Sequence, residues 1–456
     1  MEDNYFIKKI IICIFIFYIF IKLKLIYSDS NSYKIFKRYN LNSKNKIKLA
    51  IFAYRWLGGG VQKFTYLLLK YFSKLDIFDI FYIKKINTEI VTHLNNIKYI
   101  FIDGNGNILA NNLISVLIQN NIDIIIYQFK FQNEMNRLMQ LNKTKTIFIN
   151  HSCFLLWIYT HDYNIFNNVY NIYKNSKYVI SIVPFENYFL FKKWGIHSIY
   201  MNNLISYDYE KIRPSSLSTN IILMLGSASA KNKRFYLGIE SMKYIVQKIP
   251  NCEMKIISNS TEKLNGMIYS MNLQNNVKFT GYSKSPEIFF NNASLHIFPT
   301  ISEAFPMALC ETKIYGIPTI ITGIDYTSIS EGGVIIIYDD NPETIAKESI
   351  KLLKNKNYRK KMGKKARRSM KKFNNQLIIK KWINIICSVY KGENYYQKIL
   401  KEDYQKNTNK YLILLKKQLQ LLKIREPIMN NISLNNLLDF NFMKNISFFI
   451  NKKGNK

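Results

Sequence analysis

Short apolar runs alternate with amphipathic stretches over most of the chain. Lys48–Ala53 and Ile122–Tyr127 are short, rich in branched and aromatic residues, and bounded by polar positions, which predicts buried strands. Val61–Phe72 and Ile108–Gln119 carry apolar residues at helical spacing, which predicts amphipathic helices. Strands that alternate with helices in this way predict parallel, doubly wound α/β sheets with helices on both faces.

The alternation begins again near residue 220. Asn220–Leu225 predicts a strand that ends at Gly226, and Tyr236–Lys248 predicts the helix after it. Pro214 and several serines cluster just upstream, which is typical of a boundary between domains. We therefore predict two α/β domains, at residues 47–210 and 211–372.

The ends of the chain depart from this pattern. Ile10–Ile21 is continuously apolar, but it is shorter than the roughly 20 residues that a helix needs to span a bilayer. It is a short membrane anchor, an uncleaved signal or a buried helix, and we favour the anchor. Residues 1–27 are thus predicted as a hydrophobic segment and residues 28–46 as a polar linker.

The last 64 residues, 393–456, are predicted as a basic helical tail. Within it, Tyr404–Ile424 has the spacing of an amphipathic helix. Four leucines would share one face of that helix: Leu412, Leu415, Leu419 and Leu422.

The charge is strongly positive, with 65 Lys and Arg against 30 Asp and Glu and a net charge of +35. Such a balance favours polyanionic partners. The chain is also rich in Ile, Asn and Lys, as AT-rich coding sequences are, so the charge alone is weak support for a nucleic-acid partner. No helix-turn-helix, RNA-recognition or zinc pattern is present, and the five cysteines have no metal-ligand spacing.

A cationic run without acidic residues extends over Lys354–Lys372. Its apolar residues recur at helical spacing, so one interpretation is a solvated helix face. The other is attachment to anionic phospholipid, in which each cation near the surface contributes about 1 kcal/mol.

Two glutamates eight positions apart carry the most specific pattern. Glu303 follows the predicted strand that ends at Pro299, and Glu311 lies inside a helix whose first turn would hold Pro306. Parallel sheets bind ligands at the carboxyl ends of their strands, and a helix start attracts anions. A pyrophosphate at the helix start would fit, with Glu311 accepting from ribose hydroxyls and Glu303 from sugar hydroxyls. The alternative is two solvated glutamates.

The segment resembles the E-x7-E signature of retaining glycosyltransferases of family four, the glycosyl transferases group 1, whose usual form is similar to E-G-F-P-x-x-x-x-E-A-M-A-x-G-x-P-V. The glutamate spacing matches, as do Phe305, Pro306, Gly316 and Pro318, and Met307 lies within the motif. The resemblance covers residues 47–392, and its second half is far the more specific.

The resemblance implies a GT-B architecture, in which two Rossmann-like doubly wound domains face each other across a cleft. It implies that the second domain holds most of the donor. It also implies a crossover helix that returns to the first domain, for which we assign residues 373–392 with Leu377–Tyr390 as the helix.

Further positions are assigned by the same resemblance. Gly59 and Gly60 belong to a loop resembling the family's first glycine loop, which approaches the donor phosphate and the acceptor. His151 follows a strand, like the family's histidine beside the reacting sugar. Gly281 and Tyr282 resemble the strand end near the nucleotide base.

The family's phosphate-binding loop corresponds to the residues that begin at Gly226. Lys233 stands at the position of the family's lysine, with Arg234 beside it. Ser227 replaces the family's arginine, so Arg234 or Lys231 is expected to compensate.

The implied reaction is transfer of a sugar, of hexose type, with retention at the anomeric carbon. Lys233, Arg234 and the helix start near Pro306 would stabilise the leaving diphosphate, and Glu303, His151 and Lys233 are the predicted catalytic residues. No DxD motif stands in a suitable place, and Asp339–Asp340 is predicted as a solvated turn. We therefore expect no metal and no cofactor besides the donor substrate.

The expected partners are a nucleoside-diphosphate sugar, a lipid-linked or cell-surface glycan acceptor and an anionic membrane surface, with no nucleic acid. This predicts a cytoplasmic enzyme of polysaccharide or lipopolysaccharide biosynthesis at the inner face of the plasma membrane. The alternative is a catalytically silent scaffold that binds nucleotide sugar or glycan. Ser227 leaves that alternative open, and the presence of both glutamates argues against it.

Overall fold

The computed structural model describes residues 46–53, 59–85, 93–128, 132–153, 163–207, 209–283, 285–324 and 326–393, with seven further residues between 413 and 421. The predicted hydrophobic segment, nearly all of the linker, most of the tail and the four tail leucines lie outside these residues. None of the helices in the described part of the chain is both long enough and apolar enough to span a bilayer.

Thirteen strands are described, and their bounds are as follows: β1 Ile47–Ala53, β2 Phe78–Lys85, β3 Ile97–Ile102, β4 Ile124–Tyr127, β5 Lys145–Asn150, β6 Tyr178–Ser181, β7 Ile199–Tyr200, β8 Ile221–Leu225, β9 Glu253–Ile257, β10 Val277–Phe279, β11 Leu295–Phe298, β12 Thr319–Thr322 and β13 Val334–Ile337. The α-helices of the same residues are α1 Gly60–Phe72, α2 Gly106–Gln119, α3 Gln132–Met139, α4 Tyr163–Asn175, α5 Pro184–Trp194, α6 Phe235–Lys248, α7 Glu262–Ser270, α8 Met307–Ile314, α9 Pro342–Lys354, α10 Lys356–Ser369 and α11 Asn375–Lys391.

The strands form two sheets, each with a Rossmann-like order. The first runs β3-β2-β1-β4-β5-β6-β7 and the second β10-β9-β8-β11-β12-β13. The strand pairs described in both sheets are parallel. This confirms the two α/β sheets predicted from the alternation of strands and helices.

The described residues divide into two compact units. The first holds β1 to β4 and the end of α11, and the second holds the six-stranded sheet, β6, β7 and the start of α11. In the first unit, Trp382 of α11 packs on Phe64 with ring centroids 6.1 Å apart, and Lys145 donates to the Tyr390 carbonyl at 2.6 Å. In the second, the Asn375 side chain bonds both the N–H and the carbonyl of Ile205.

The second sheet buries its inner face against α6 and α9. Ile222, Met224 and Ile297 of the central strands are at most 1% exposed and share a core with Ile239 and Ile345 of these helices. In this sheet β8 lies beside β11, so the strand order reverses between them. The carboxyl ends of such neighbouring strands form the usual ligand-binding edge of an open α/β sheet.

Three elements departed from the sequence predictions because they are short or have no apolar periodicity. α3, α5 and the two-residue β7 were not predicted; α3 has eight residues, and the apolar residues of α5 are not confined to one side of the helix. The sequence also predicts a helix over Ser285–Asn291, but the structure has only a 3₁₀ turn there, Pro286–Phe289.

Helix α10 presents two kinds of cation. Its inner arginines satisfy carbonyl groups: Arg359 donates to Leu217, Leu352 and Leu353, and Arg367 donates to Ile314, Tyr209 and Ile212. Its outer cations are exposed: Lys360, Lys361, Lys364, Lys365 and Arg368. The inner arginines explain how so basic a helix packs on the domain, because they cap the ends of α8 and α9.

Lys313 of α8 is fully buried and holds the loop before β13. Its amine donates to the carbonyls of Ile329 and Glu331 at 2.5 and 2.6 Å. The pKa of Lys313 is lowered to about 7, chiefly by burial; Cys310 and Glu331 raise it and Lys372 lowers it, each by less than burial does. A neutral amine still has two protons to donate, so the loop contacts survive deprotonation.

The Lys313 titration predicts a pH-dependent stability. The folded amine loses its proton near pH 7, whereas the unfolded amine keeps it up to about pH 10.5. Between these values the unfolded chain binds more protons, so the free energy of unfolding should rise with pH, by up to about 1.4 kcal/mol per pH unit. In denaturant unfolding from pH 6 to pH 10, the free energy of unfolding of the wild type should rise relative to that of Lys313→Met. Parallel profiles would mean that buried Lys313 keeps its proton.

Two helical glycines should respond oppositely to the same substitution. A Cβ at Gly363 of α10 would lie 2.4 Å from the Gly316 carbonyl oxygen and 2.7 Å from Leu217, whereas a Cβ at Gly266 of α7 meets no atom within 4 Å. Gly363→Ala should therefore lower the free energy of unfolding by about 1–3 kcal/mol through overpacking. Gly266→Ala should raise it by about 0.5–1 kcal/mol through helix propensity. Chemical denaturation measures both, and a neutral Gly363→Ala would contradict the close packing.

Candidate active site

The candidate site is built by the loops that leave the carboxyl ends of β8, β11, β12 and β13. The first loop begins at Gly226, whose φ of +141° is one that side-chain-bearing residues rarely adopt. It ends in a 3₁₀ turn, Lys231–Lys233. The Asn232 carbonyl in this turn accepts from the N–H of Ile301 at 2.8 Å, which ties the loop after β8 to the loop after β11.

An ion pair between Lys233 and Glu303 lies where these two loops meet. Their side chains are 21% and 13% exposed, and the Lys233 amine also lies 5.4 Å from the centroid of the Phe298 ring. The Thr300 hydroxyl is 3.1 Å from Glu303 Oε1. A largely desolvated pair of this kind is costly to open unless another charge replaces one partner.

The backbone of Glu303 is fixed from the loop after β12. Its N–H donates to the Tyr326 hydroxyl at 3.0 Å, and that hydroxyl donates to Ser302 Oγ at 3.3 Å. Tyr326 is 2% exposed, and its ring packs edge-on against Phe185 at 5.2 Å. The position of the carboxylate therefore depends on a buried tyrosine 23 residues away in sequence.

Arg234 spans the ends of three strands. Its Nε donates to the Pro299 carbonyl after β11 at 2.9 Å, and its Nη2 donates to Thr322 Oγ1 at the end of β12 at 2.8 Å. Both carboxylate oxygens of Asp340, after β13, accept from the guanidinium at 2.5 and 3.0 Å. Arg234 is 8% exposed and has a left-handed φ of +47°. Four contacts leave one of its five N–H groups for any other partner.

The prediction of a solvated turn at Asp339–Asp340 is wrong for Asp340. Its side chain is 14% exposed and paired with Arg234. Asp339 accepts from the N–H of Asn341 and the hydroxyl of Thr344, as in a turn before a helix. The sequence could not show that an arginine more than 100 positions earlier would reach Asp340.

Helix α8 starts shortly after Glu303 of the Lys233–Glu303 ion pair. Pro306 occupies its N-cap position, so the helix begins one residue later than predicted, at Met307, and no side chain caps it. Phe305 packs edge-on against Phe373 at 5.7 Å. Uncapped amides at a helix start are suited to binding an anion.

Glu311 lies on the fifth residue of α8 and is 3% exposed. It is near the phenols of Tyr207 and Tyr315, whose pKa values are raised first by burial and also by the charges of Glu311 and Glu287. The interpretation of both glutamates as solvated surface residues is therefore wrong.

A buried histidine packs behind α8. His296 of β11 has Nδ1 2.9 Å from the Thr312 hydroxyl, and burial lowers the pKa of its ring to about 3. The imidazole is therefore neutral at physiological pH. It adds no charge beneath the site.

The other predicted residues lie in separate clusters. His151 follows β5 as predicted, and its Nε2 is 2.9 Å from Gln128 Oε1 at the end of β4. Gly281, with φ +78°, and the 64% exposed Tyr282 follow β10, where the Tyr282 N–H donates to Asn259 at 3.0 Å. Gly59 and Gly60 belong to the first unit, where Gly59 is the N-cap of α1.

The structure adds residues that the sequence did not single out. They are the hydroxyl and carboxylate partners of Glu303 and Arg234: Thr300, Ser302, Thr322, Tyr326 and Asp340. The only signal in the sequence was their place just after predicted strands. In the described part of the chain, no three His, Cys, Asp or Glu side chains are grouped as a metal site would require.

Comparison with known proteins gives matches in sequence and in fold. Residues 208–369 match the family of glycosyl transferases group 1. The chain is 26% identical over 218 residues to the capsular polysaccharide biosynthesis glycosyltransferase CapM of Staphylococcus aureus, a match that covers 46% of this chain and 54% of that relative.

Solved structures with the same fold include two that the chain covers completely. Sucrose-phosphate synthase from Thermosynechococcus elongatus has a TM-score of 0.66 at 13% identity, with 76% of this chain and 100% of that chain covered. Anabaena Alr3699/HepE in complex with UDP and glucose has a TM-score of 0.62 at 13% identity, with 75% and 100% covered. Residues 208–369 thus resemble the glycosyl transferases group 1, and the chain shares the GT-B fold of its solved structural neighbours.

Proposed function

We propose that this protein is a glycosyltransferase that moves a sugar from a nucleoside-diphosphate donor to a lipid-linked or cell-surface glycan. The observation that carries the proposal is the Lys233–Glu303 ion pair at the strand ends, beside the uncapped start of α8. The match of residues 208–369 to a glycosyltransferase family supports it, as does the similarity to a capsular polysaccharide enzyme.

Donor binding would exchange one ion pair for another. The diphosphate replaces Glu303 as the partner of the Lys233 ammonium, so the amine stays paired while the carboxylate is released. Glu303 then accepts hydrogen bonds from hydroxyls of the donor sugar. The start of α8 supplies backbone N–H groups to the diphosphate, and Glu311 accepts from the ribose.

The same groups would assist the reaction. The bond between the anomeric carbon and the diphosphate oxygen breaks, and the acceptor oxygen bonds that carbon on the same face, which retains its configuration. The acceptor hydroxyl proton passes to the departing diphosphate. Lys233 and the helix start stabilise the negative charge that develops on the leaving group, and His151 lies beside the reacting sugar. The E-x7-E resemblance supports retention.

Arg234 has a different role in this proposal from the one expected for a phosphate clamp. Its contacts to Pro299, Thr322 and Asp340 hold the strand ends, so Lys233 is the principal cation for the diphosphate. Arg234 then does not take the place of the family's arginine, which is Ser227 in this chain. A silent scaffold remains the second candidate, since it would bind the donor with the same groups and transfer nothing.

A nucleotide panel tests the donor site. UDP, GDP, ADP and CMP are added to the full-length protein in a thermal-shift assay, and a diphosphate at 100 times its dissociation constant should add about 2.7 kcal/mol of stability. UDP is our first expectation because the HepE structure contains it. Glu311→Gln should weaken binding about 10- to 100-fold through the loss of a charge-assisted hydrogen bond. Glu262→Gln, an exposed glutamate of α7, is the matched control.

The outcomes separate the candidates. Binding that falls in Glu311→Gln but not in Glu262→Gln supports the donor site. Transfer of labelled sugar to membrane glycan then distinguishes the enzyme from the scaffold. No shift with any nucleotide at millimolar concentration would overturn the proposal.

We also propose that the outer face of α10 meets an anionic membrane leaflet, as at the inner face of the plasma membrane. The exposed cations on that face include Lys360, Lys361, Lys364, Lys365 and Arg368. Like charges at helical i, i+4 spacing repel one another, and phosphate headgroups relieve that repulsion.

Vesicle co-sedimentation tests this surface. Replacement of Lys360, Lys364 and Arg368 by Glu should lower association with phosphatidylglycerol vesicles by at least about 100-fold, because each lost cation contributes about 1 kcal/mol and each added carboxylate repels the lipid. The control replaces three exposed lysines of α6 and α7 by Glu: Lys243, Lys248 and Lys263. Equal losses in the two variants would show an effect of net charge alone and contradict a specific membrane face.

A further inference from the structure

A short part of the C-terminal tail packs on the same domain as the candidate donor site. In the described residues between 413 and 421 the backbone is helical. Gln418 and Leu421 are each 1% exposed, whereas Ile413 is 56% exposed. The buried face therefore includes a glutamine, which the leucine pattern of the tail did not predict.

The contact point of this segment is Gly323, directly after β12. Gln418 Nε2 donates to the Gly323 carbonyl at 2.7 Å. Leu421 lies so close that a Cβ at position 323 would be 2.1 Å from its Cδ2, and the φ of Gly323 is +68°. Only glycine combines this backbone conformation with room for the leucine.

A second contact reaches the end of the neighbouring strand. The Lys417 amine is 5.4 Å from the centroid of the Tyr338 ring and 3.4 Å from its hydroxyl. Tyr338 directly follows β13, as Gly323 follows β12. The tail segment therefore touches two adjacent strand ends.

These strand ends are the ones that organise the candidate donor site. Thr322, next to Gly323, accepts from Arg234 and donates to the Thr300 carbonyl. Asp340, two residues after Tyr338, pairs with Arg234. On the other side of Gly323, the Tyr326 hydroxyl accepts the N–H of Glu303.

We propose that Gln418 and Leu421 are positioning residues for the donor site. By holding the Gly323 turn, they fix the positions of Thr322 and Tyr326. Thr322 in turn orders the loop that ends at Arg234, and Tyr326 orders the backbone of Glu303. The two tail residues touch neither the donor nor the acceptor in this proposal. The effect on donor binding rests on the proposed function, whereas the ordering of these loops by the tail does not.

Hydrogen exchange of the full-length protein tests the structural part without any ligand. Leu421→Ala should accelerate amide exchange about tenfold in peptides covering residues 300–306 and 326–330, because the turn that orders them is released. Peptides covering β8 and β9 are internal references and should be unchanged. Ile413→Ala, on the exposed side of the same segment, should behave as wild type, and Leu421→Met should restore protection.

Two outcomes would overturn the positioning role. Unchanged exchange at residues 300–306 in Leu421→Ala would show that the tail does not order the Glu303 loop. Equal acceleration in the β8 and β9 references would show a general loss of stability instead of a local one.

Binding of UDP tests whether the tail residues affect the donor site. Leu421→Ala and Gln418→Ala should each weaken UDP binding about tenfold, with Ile413→Ala unaffected. Unchanged UDP affinity in both variants would overturn the link to the donor site. If the wild type itself does not bind UDP, that result counts against uridine as the donor nucleotide, and the exchange experiment still decides whether the tail positions the loop.

Discussion

The hydrogen bonds of the Arg234 guanidinium are the interaction on which the candidate ligand-binding edge of this domain depends. The guanidinium joins the Pro299 carbonyl, Thr322 and Asp340, which follow or end three neighbouring strands. In a parallel sheet, the backbone hydrogen bonds between neighbouring strands stop at the last residue of each strand. A planar group with five donors is well suited to connect the segments that follow. Because the group is buried, removal of either charge would leave the other uncompensated.

The fixed arginine determines what its neighbour can do. Arg234 holds the left-handed turn that ends the Lys231–Lys233 segment, so the Lys233 side chain emerges at a defined place beside Glu303. Lys233 has a flexible stem and is paired there with Glu303, which the donor diphosphate replaces in the proposed function. In the proposed function these adjacent cations therefore have separate roles: Arg234 holds the strand ends, and Lys233 binds the diphosphate.

The sequence predicted what depends on local pattern. The strands predicted at Lys48–Ala53 and Ile122–Tyr127 end where β1 and β4 end and begin within two residues of them, because their apolar runs are bounded by polar positions. The motif around Glu303 and Glu311 predicted a helix start beside a strand end. The partners of these residues could not be predicted, because Tyr326 and Asp340 reach Glu303 and Arg234 only through tertiary packing. The same is true of Gln418, a polar residue that is buried with its side-chain amide on the Gly323 carbonyl.

A crystal structure of the protein with UDP would test the central claim most directly. The account predicts a diphosphate within hydrogen-bond distance of the Lys233 amine and the first amides of α8, with the Lys233–Glu303 pair opened and Arg234 still bound to Thr322 and Asp340. A diphosphate that binds Arg234 after displacing Asp340, while Lys233 stays paired with Glu303, would contradict it.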